Sequence, residues 1–453
     1  MSEQGASASV SGGARAEWQS HGPELLDLAM VLLAALVTLS VAVLNPQYAG
    51  IAACSCAVAT APMRRGIWYL DPVLAFALPW LVVLLSTLVD LSVFSRPVGN
   101  ATFSLITACV LAWWCGVSVA ALLSSAIRHR HSAYQQRFGL RLPRVVRPQY
   151  LLVLLVLTAF VVLTVAQVAV SGFIPLIEGL RGGTTRYLAF GIPTVYGLYL
   201  ALANVVAIAA LYRFAVTNRS RHLSLLVLVL LVFLLFVTRQ NVLTVAFAGL
   251  AIWSLVRKRL ATSLITAVGV AALLGFAAFG EFRSGDIRQI VGVRADTPPL
   301  PSALVWVYSY GYFTILNLDN VVERGGGPHF DGSSFSSLVP TVFRQPASHP
   351  RLLDRPQFTV RSYLAELHLD VGPGGAILFT IAVALLTGFA YRHALHRPTL
   401  RSTGAYGVLY FCAVFAFFTN FWFYLPVVSQ LVLIGLLGPA FEVTERPQRG
   451  SDQ

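Results

Sequence analysis

Polar and apolar positions along this chain are sorted by whole segments more than by helix face. Mainly apolar runs, many of them reaching the ~17–25 residues that cross a bilayer as a helix, recur between short polar breaks. The pattern predicts twelve spans, at about 25–44, 48–63, 72–92, 102–126, 150–171, 189–212, 222–237, 242–256, 262–279, 373–391, 404–421 and 424–441. One interval breaks the rhythm. Residues 280–372 are rich in Pro, Gly, Ser and aromatics and read as a single long loop. Within it, 303–322 is amphipathic and predicts an interfacial helix, with Trp306, Tyr308, Tyr310 and Tyr312 suited to the headgroup zone. The first 14 residues, rich in Ser, Gly and Ala, predict disorder within a polar tail over 1–24, and a second short tail covers 442–453. The expected fold is an all-α polytopic membrane protein of about twelve transmembrane helices with one long extracytoplasmic loop.

Composition closes off the alternatives. The chain is 57% hydrophobic and 11% charged, with mean hydropathy +0.72, whereas a soluble domain carries about 25% charged residues. The polar tail runs straight into a span too long for a secretory signal and without a small-residue cleavage site, so no signal peptide is expected. Cys54, Cys56, Cys109, Cys115 and Cys412 all fall inside apolar runs, which suits packing rather than a loop disulfide or a zinc site.

The net charge of +13 is almost wholly arginine, Lys258 being the one lysine. These charges are scattered between spans, so nucleic acid is not an expected partner; membrane lipids are. Their sign orients the chain instead. With the N-terminus inside, 20 of the 32 basic residues are cytoplasmic, and the short outside loops hold only Arg96, Arg181, Arg186 and Arg239. Long loops escape the positive-inside rule, so this contrast predicts cytoplasmic termini and an outward 280–372 loop. Arg239 then sits at the outer mouth of two spans, in "FVTRQNVLTVAF", residues 236–247.

Four outward features could carry chemistry: Arg181 and Arg186 in "SGFIPLIEGLRGGTTRYLAFG"; Arg239; the loop arginines Arg283, Arg288, Arg294 and Arg361; and "RSYLAELHLDVGPGG" with Tyr363, Glu366, His368 and Asp370. On a helix, Tyr363, Glu366 and Asp370 share one face at i, i+3 and i+7. Several arginines around one cavity can grip a diphosphate in two-pronged fashion, while a carboxylate takes a proton from a hydroxyl. Plainer readings stand beside these. Arg239 could snorkel and tie off helix carbonyls, and Arg181 and Arg186 could be interfacial anchors. Glu366 and Asp370 could be acids at a helix N-terminus, and His368 a structural hydrogen-bonding residue. Spacing points to no metal site and no cofactor.

The order of these features resembles the bacterial oligosaccharide repeat-unit polymerases, the O-antigen polymerase group, which is related to the O-antigen ligases. The resemblance covers about residues 150–440. It rests on the "GFIPL" turn followed by arginines and "FG", the "TRQN" turn, the aromatic "YSYGYFTILNLDN", and "FTVRSYLAELHLDVGPGG" opening the next span. That last stretch is similar to the family's aromatic-x-D-aromatic-G-x-x-G pattern in Asp370, Gly372 and Gly375, with Val371 where an aromatic is usual. The resemblance implies a C-type glycosyltransferase-like fold of the polymerase and ligase class. It also implies inverting glycosyl transfer on the outer face of the bacterial cytoplasmic membrane, from an oligosaccharide carried on polyprenyl diphosphate. Asp370, Glu366 and His368 become candidate catalytic residues; Arg239, Arg181, Arg186, Arg361 and Tyr363 become candidate diphosphate and substrate contacts. A chain-length regulator is a further candidate partner. Two alternatives stay open: a ligase acting on a final acceptor, and a transporter of lipid-linked saccharide, against which the charge-poor spans argue.

Overall fold

Prolines and short polar side chains punctuate the chain where helices begin. Asn45 and Asp71 each accept a hydrogen bond from the backbone N–H two residues on, just ahead of Pro46 and Pro72 in the first helical turn. Thr399 and Ser402 form a reciprocal capping box. The computed structural model of the protein describes residues 10–64, 66–138, 150–181, 189–258, 285–344 and 352–442, with a few single positions between 266 and 281. Among them no strand occurs, and the helices are α1 (Val10–Leu44), α2 (Pro46–Thr60), α3 (Pro72–Ser86), α4 (Asn100–Phe138), α5 (Tyr150–Ser171), α6 (Pro175–Leu180) and α7 (Val195–Thr217). They continue as α8 (Ser220–Leu235), α9 (Arg239–Arg257), α10 (Ile287–Val291), α11 (Ser302–Arg324), α12 (Tyr363–His396), α13 (Leu400–Val414) and α14 (Leu425–Phe441).

Six of these are long and apolar enough to cross a membrane: Leu26–Leu44, Asn100–Ile127, Tyr150–Ser171, Val195–Thr217, Arg239–Arg257 and Tyr363–His396. Three shorter apolar helices, α3, α8 and α14, accompany them. The protein is thus a multi-pass, all-helical membrane protein. Most of the span expected at 262–279 lies outside the described residues. The third apolar run ends as helix at Ser86, and residues 87–92 turn back instead of extending it. The segment expected as a disordered tail is helical from Val10, because α1 extends backward from its apolar part; residues 1–9 and 443–453 lie outside the described residues.

Small residues let the long helices approach. A Cβ on Gly116 would lie 2.8 Å from Ala384 Cβ, and one on Gly388 2.7 Å from Ala120 Cβ, so α4 and α12 pack almost backbone to backbone. Large rings fill the remaining space: Trp113 stacks on Phe76 at 4.4 Å and donates from Nε1 to Pro72 O at 2.8 Å. Tyr391, Tyr406 and Tyr410 reach from α12 and α13 to backbone groups of Ile67, Leu70 and Tyr69.

Helix α11 is the principal departure from the sequence reading. Instead of lying at an interface, it is packed within the protein, with Trp306, Tyr308 and Tyr312 all under 8% exposed. Gly311 permits this, lying against Ser86 and Val83 of α3. The three rings cluster with Leu91, with Ile287 and Val291 of α10 and with Phe358, while other positions of the helix pack on α3 and α12.

Candidate functional site

The turn that opens α9 is held from three sides. Val237 has φ +56°, a conformation that a β-branched residue adopts only under constraint. It allows α8 to reverse into α9 within a few residues. Thr238 donates to Phe233 O from its backbone N (2.9 Å) and its hydroxyl (3.2 Å). Asn241, buried, accepts from Asn204 Nδ2 of α7 at 2.7 Å. Within "TRQN", Thr closes the turn, Asn bolts it to the bundle, and Arg239 projects, half-buried, from the first helical position.

Arg239 Nη2 donates to Tyr310 Oη at 3.0 Å, and its guanidinium carbon lies 5.9 Å from the Tyr310 ring centroid. Tyr310 is itself placed between Trp306 (5.5 Å) and Phe418 (5.2 Å). Two stretches 71 residues apart in sequence therefore meet at this guanidinium.

The polar end of α11 organises the segments around it. Asn317 donates from Nδ2 to Phe358 O (2.8 Å) and Val360 O (2.7 Å), and accepts from Asp354 N at 2.7 Å. Asp319, 3% exposed, accepts from Arg96 Nη1 (2.6 Å), Gly99 N (2.8 Å) and Thr102 Oγ1 (2.8 Å). Arg96 also pairs with Asp354 at 3.0 Å and donates to Asn320 Oδ1 at 3.0 Å. Burial pulls the Arg96 pKa down, but the hydrogen bonds and charges of Asp319 and Asp354 outweigh it and raise the pKa. The "LNLDN" run, residues 316–320, is a structural knot. Its partners lie far away in sequence, which is why spacing alone did not reveal it.

Helix α12 breaks at Gly372 (φ +72°), ahead of Pro373. Pro373 has no N–H for Leu369 O, so the carbonyls at the break need other donors. A strap over 328–338 supplies them: His329 N donates to Leu369 O and Phe330 N to Asp370 O, each at 2.9 Å. The Asp370 carboxylate then accepts from Gly332 N (2.9 Å, Oδ1) and Ser334 N (3.3 Å, Oδ2), while Ser334 Oγ donates to Glu366 O (3.0 Å). Asp370 is 2% exposed. It caps not its own helix but the 3-10 turn Ser333–Leu338 of the strap.

The other predicted site residues divide. Glu366 is half-buried beneath the strap, and His368 is half-buried with its Nδ1 enclosed and without a hydrogen-bond partner. Tyr363 is fully buried, shares a hydrogen bond with Thr380 (2.7 Å) and packs against Phe76 and Trp422, so its hydroxyl faces the core and not a substrate. The shared face of Tyr363, Glu366 and Asp370 is largely an inward face. Arg361 is half-buried just ahead of α12. Arg181, exposed, ends α6 beside a cavity of about 570 Å³ lined by Val168, Gly172, Phe173, Ile177 and Glu178. A run of rings, Phe173–Phe190–Phe236, leads from that cavity towards the Arg239 turn, with centroids 5.8 and 4.5 Å apart. Arg186 lies outside the described residues.

A second charged cluster was not expected. Arg64, 3% exposed in its side chain, pairs with Asp27 at 2.8 Å and Asp71 at 3.0 Å, joining α1 to the turn before α3. No family model, curated protein or solved structure matches this chain.

Proposed function

We infer that the protein polymerises lipid-linked oligosaccharide repeat units at the outer face of the bacterial cytoplasmic membrane, with the termini cytoplasmic and residues 280–372 outward. One observation carries the reading. Helix α11 touches both the "TRQN" turn, through Tyr310 and Arg239, and the 354–360 stretch that leads into "RSYLAELHLD", through Asn317. Three of the four stretches on which the family resemblance rests are thus neighbours in space.

In this reading the acceptor hydroxyl oxygen bonds to the anomeric carbon as the bond from that carbon to the diphosphate oxygen breaks. The electron pair leaves on polyprenyl diphosphate, and the hydroxyl proton passes to a carboxylate. Charge grows on the diphosphate, so a guanidinium fixed before the reaction stabilises the transition state more than the ground state. Arg239 has that fixity. Both oxygens of Asp370 are engaged by backbone N–H groups, so Asp370 is assigned to holding the strap. Glu366, one turn earlier and partly exposed, becomes the first candidate for the base, with His368 next.

The lipid-linked glycan profile of a deletion strain tests the assignment. Single repeats retained on lipid support polymerisation, whereas long unattached chains would point to a ligase. A transporter gains one observation, the buried Asp27–Arg64–Asp71 cluster, since buried ionisable groups in membrane proteins often mark transport routes. Repeats accumulating on the cytoplasmic face of the deletion strain would favour that reading instead.

A further inference from the structure

The strap and its continuation expose an unusual amount of apolar surface for a segment outside the spanning helices. Phe330 is 74% exposed, Val342 63% and Phe343 75%, with Phe335 and Val339 also open. All five lie within fourteen residues, "FDGSSFSSLVPTVF". Scattered exposed apolar residues need no explanation, but a cluster of large ones marks a surface that meets something apolar.

The position of the cluster indicates what that is. Phe335 packs on Phe423 at 4.2 Å, and Phe423 on Phe379 of α12 at 4.7 Å. The strap is therefore seated at the end of α14 and beside α12. Both helices turn apolar side chains outward: Leu378 and Leu386 on α12, Val432 and Leu436 on α14, each more than half exposed. On a multi-pass protein such positions face lipid. Through Phe335 and Phe423 the strap adjoins the start of α14, the helix that carries the outward Val432 and Leu436. Arg344, exposed, closes the cluster, donating to Val339 O at 3.2 Å. An aromatic belt ending in a basic residue that can reach the headgroups is the composition of a membrane-surface anchor.

We propose that residues 330–343 lie in the interface of the lipid bilayer, inserting Phe330, Val342 and Phe343 among the headgroups and upper acyl chains. The strap is then fixed at two places, to Asp370 on the protein side and to lipid on the other. Asp331 and Arg344 offset each other in charge, so insertion is driven by apolar burial and does not require anionic lipid. This inference rests on the membrane location of the helices and not on the glycosyl-transfer reading.

Cysteine substitutions carrying an environment-sensitive fluorophore test it, in full-length protein reconstituted at one copy per lipid nanodisc. Phe343→Cys and Val342→Cys are the test positions, and Asp296→Cys, at an exposed polar site of the same interval, is the aqueous control. The expected result is a blue-shifted emission at 342 and 343. Nitroxide on lipids should quench it at a depth about 5–10 Å into the headgroup and acyl boundary, while aqueous iodide should quench position 296 alone. The result should be the same in neutral and anionic nanodiscs. Iodide quenching at 342 and 343 equal to that at 296 would overturn the proposal. So would protection that appears only with two copies per disc, because a second copy of the chain would then be what covers the patch.

Discussion

Replacing Asp370 by Asn separates a proton acceptor from a latch. Asn keeps one acceptor oxygen in nearly the same volume, so the bond from Gly332 N can survive. The amide nitrogen, however, then faces Ser334 N–H, donor against donor. A net hydrogen bond to a charged group is worth about 1.5–3 kcal/mol. Local opening at Ser334 should therefore rise about 10- to 150-fold, taking 1.36 kcal/mol per tenfold. Asp370→Ala removes both acceptors and should free Gly332 and Ser334 together. The bonds from His329 and Phe330 use backbone carbonyls and should persist, confining the change to the strap beyond residue 331. Hydrogen exchange by mass spectrometry on nanodisc-embedded protein reads this directly, beside an assay of lipid-linked repeat extension. Unchanged protection of 332–335 in both variants would refute the latch. Extension in Asp370→Asn should fall in step with strap opening. Wild-type extension despite increased exchange would show that a closed strap is not needed for the reaction.

Arg239→Ala should lower extension by about 10²–10³ with abundance unchanged, and Arg239→Lys should recover little, since an ammonium cannot reproduce the planar fork; full recovery with Lys would show that a point charge is enough. Arg64→Ala strands two buried carboxylates and should cost about 3–5 kcal/mol, read as a lowered melting temperature or lost expression; a melting curve matching wild type would mean that water reaches the cluster. Asp319→Ala leaves Arg96, Gly99 N and Thr102 without their shared acceptor. Because the Arg96 side chain is 29% exposed, the cost should be nearer 1–3 kcal/mol. Limited proteolysis within 285–362 should quicken, and unchanged cleavage would argue against Asp319 as the knot.

The class of protein and the positions of its long apolar helices were legible in one dimension. Hydropathy is a local property, and bilayer-length apolar runs such as Tyr150–Ser171 have no other good solution. Breaks at Pro72, Pro373 and the "TRQN" turn were legible for the same reason: each is set by residues within a few positions of it. The burial of α11 followed from long-range packing that no local pattern encodes. An amphipathic aromatic helix suits a membrane surface or a protein groove equally well, and the choice depends on Gly311 meeting α3, more than 200 residues away in sequence. The partners of charged groups were also invisible in one dimension. Arg96 with Asp319, Arg64 with Asp27, and Asp370 with Gly332 and Ser334 each join distant segments. Asp370 illustrates the limit most plainly. Its helical face and neighbouring glycines suggested a base, but only folding brought the strap's N–H groups to both of its oxygens, because the break at Pro373 left carbonyls that needed donors from elsewhere in the chain.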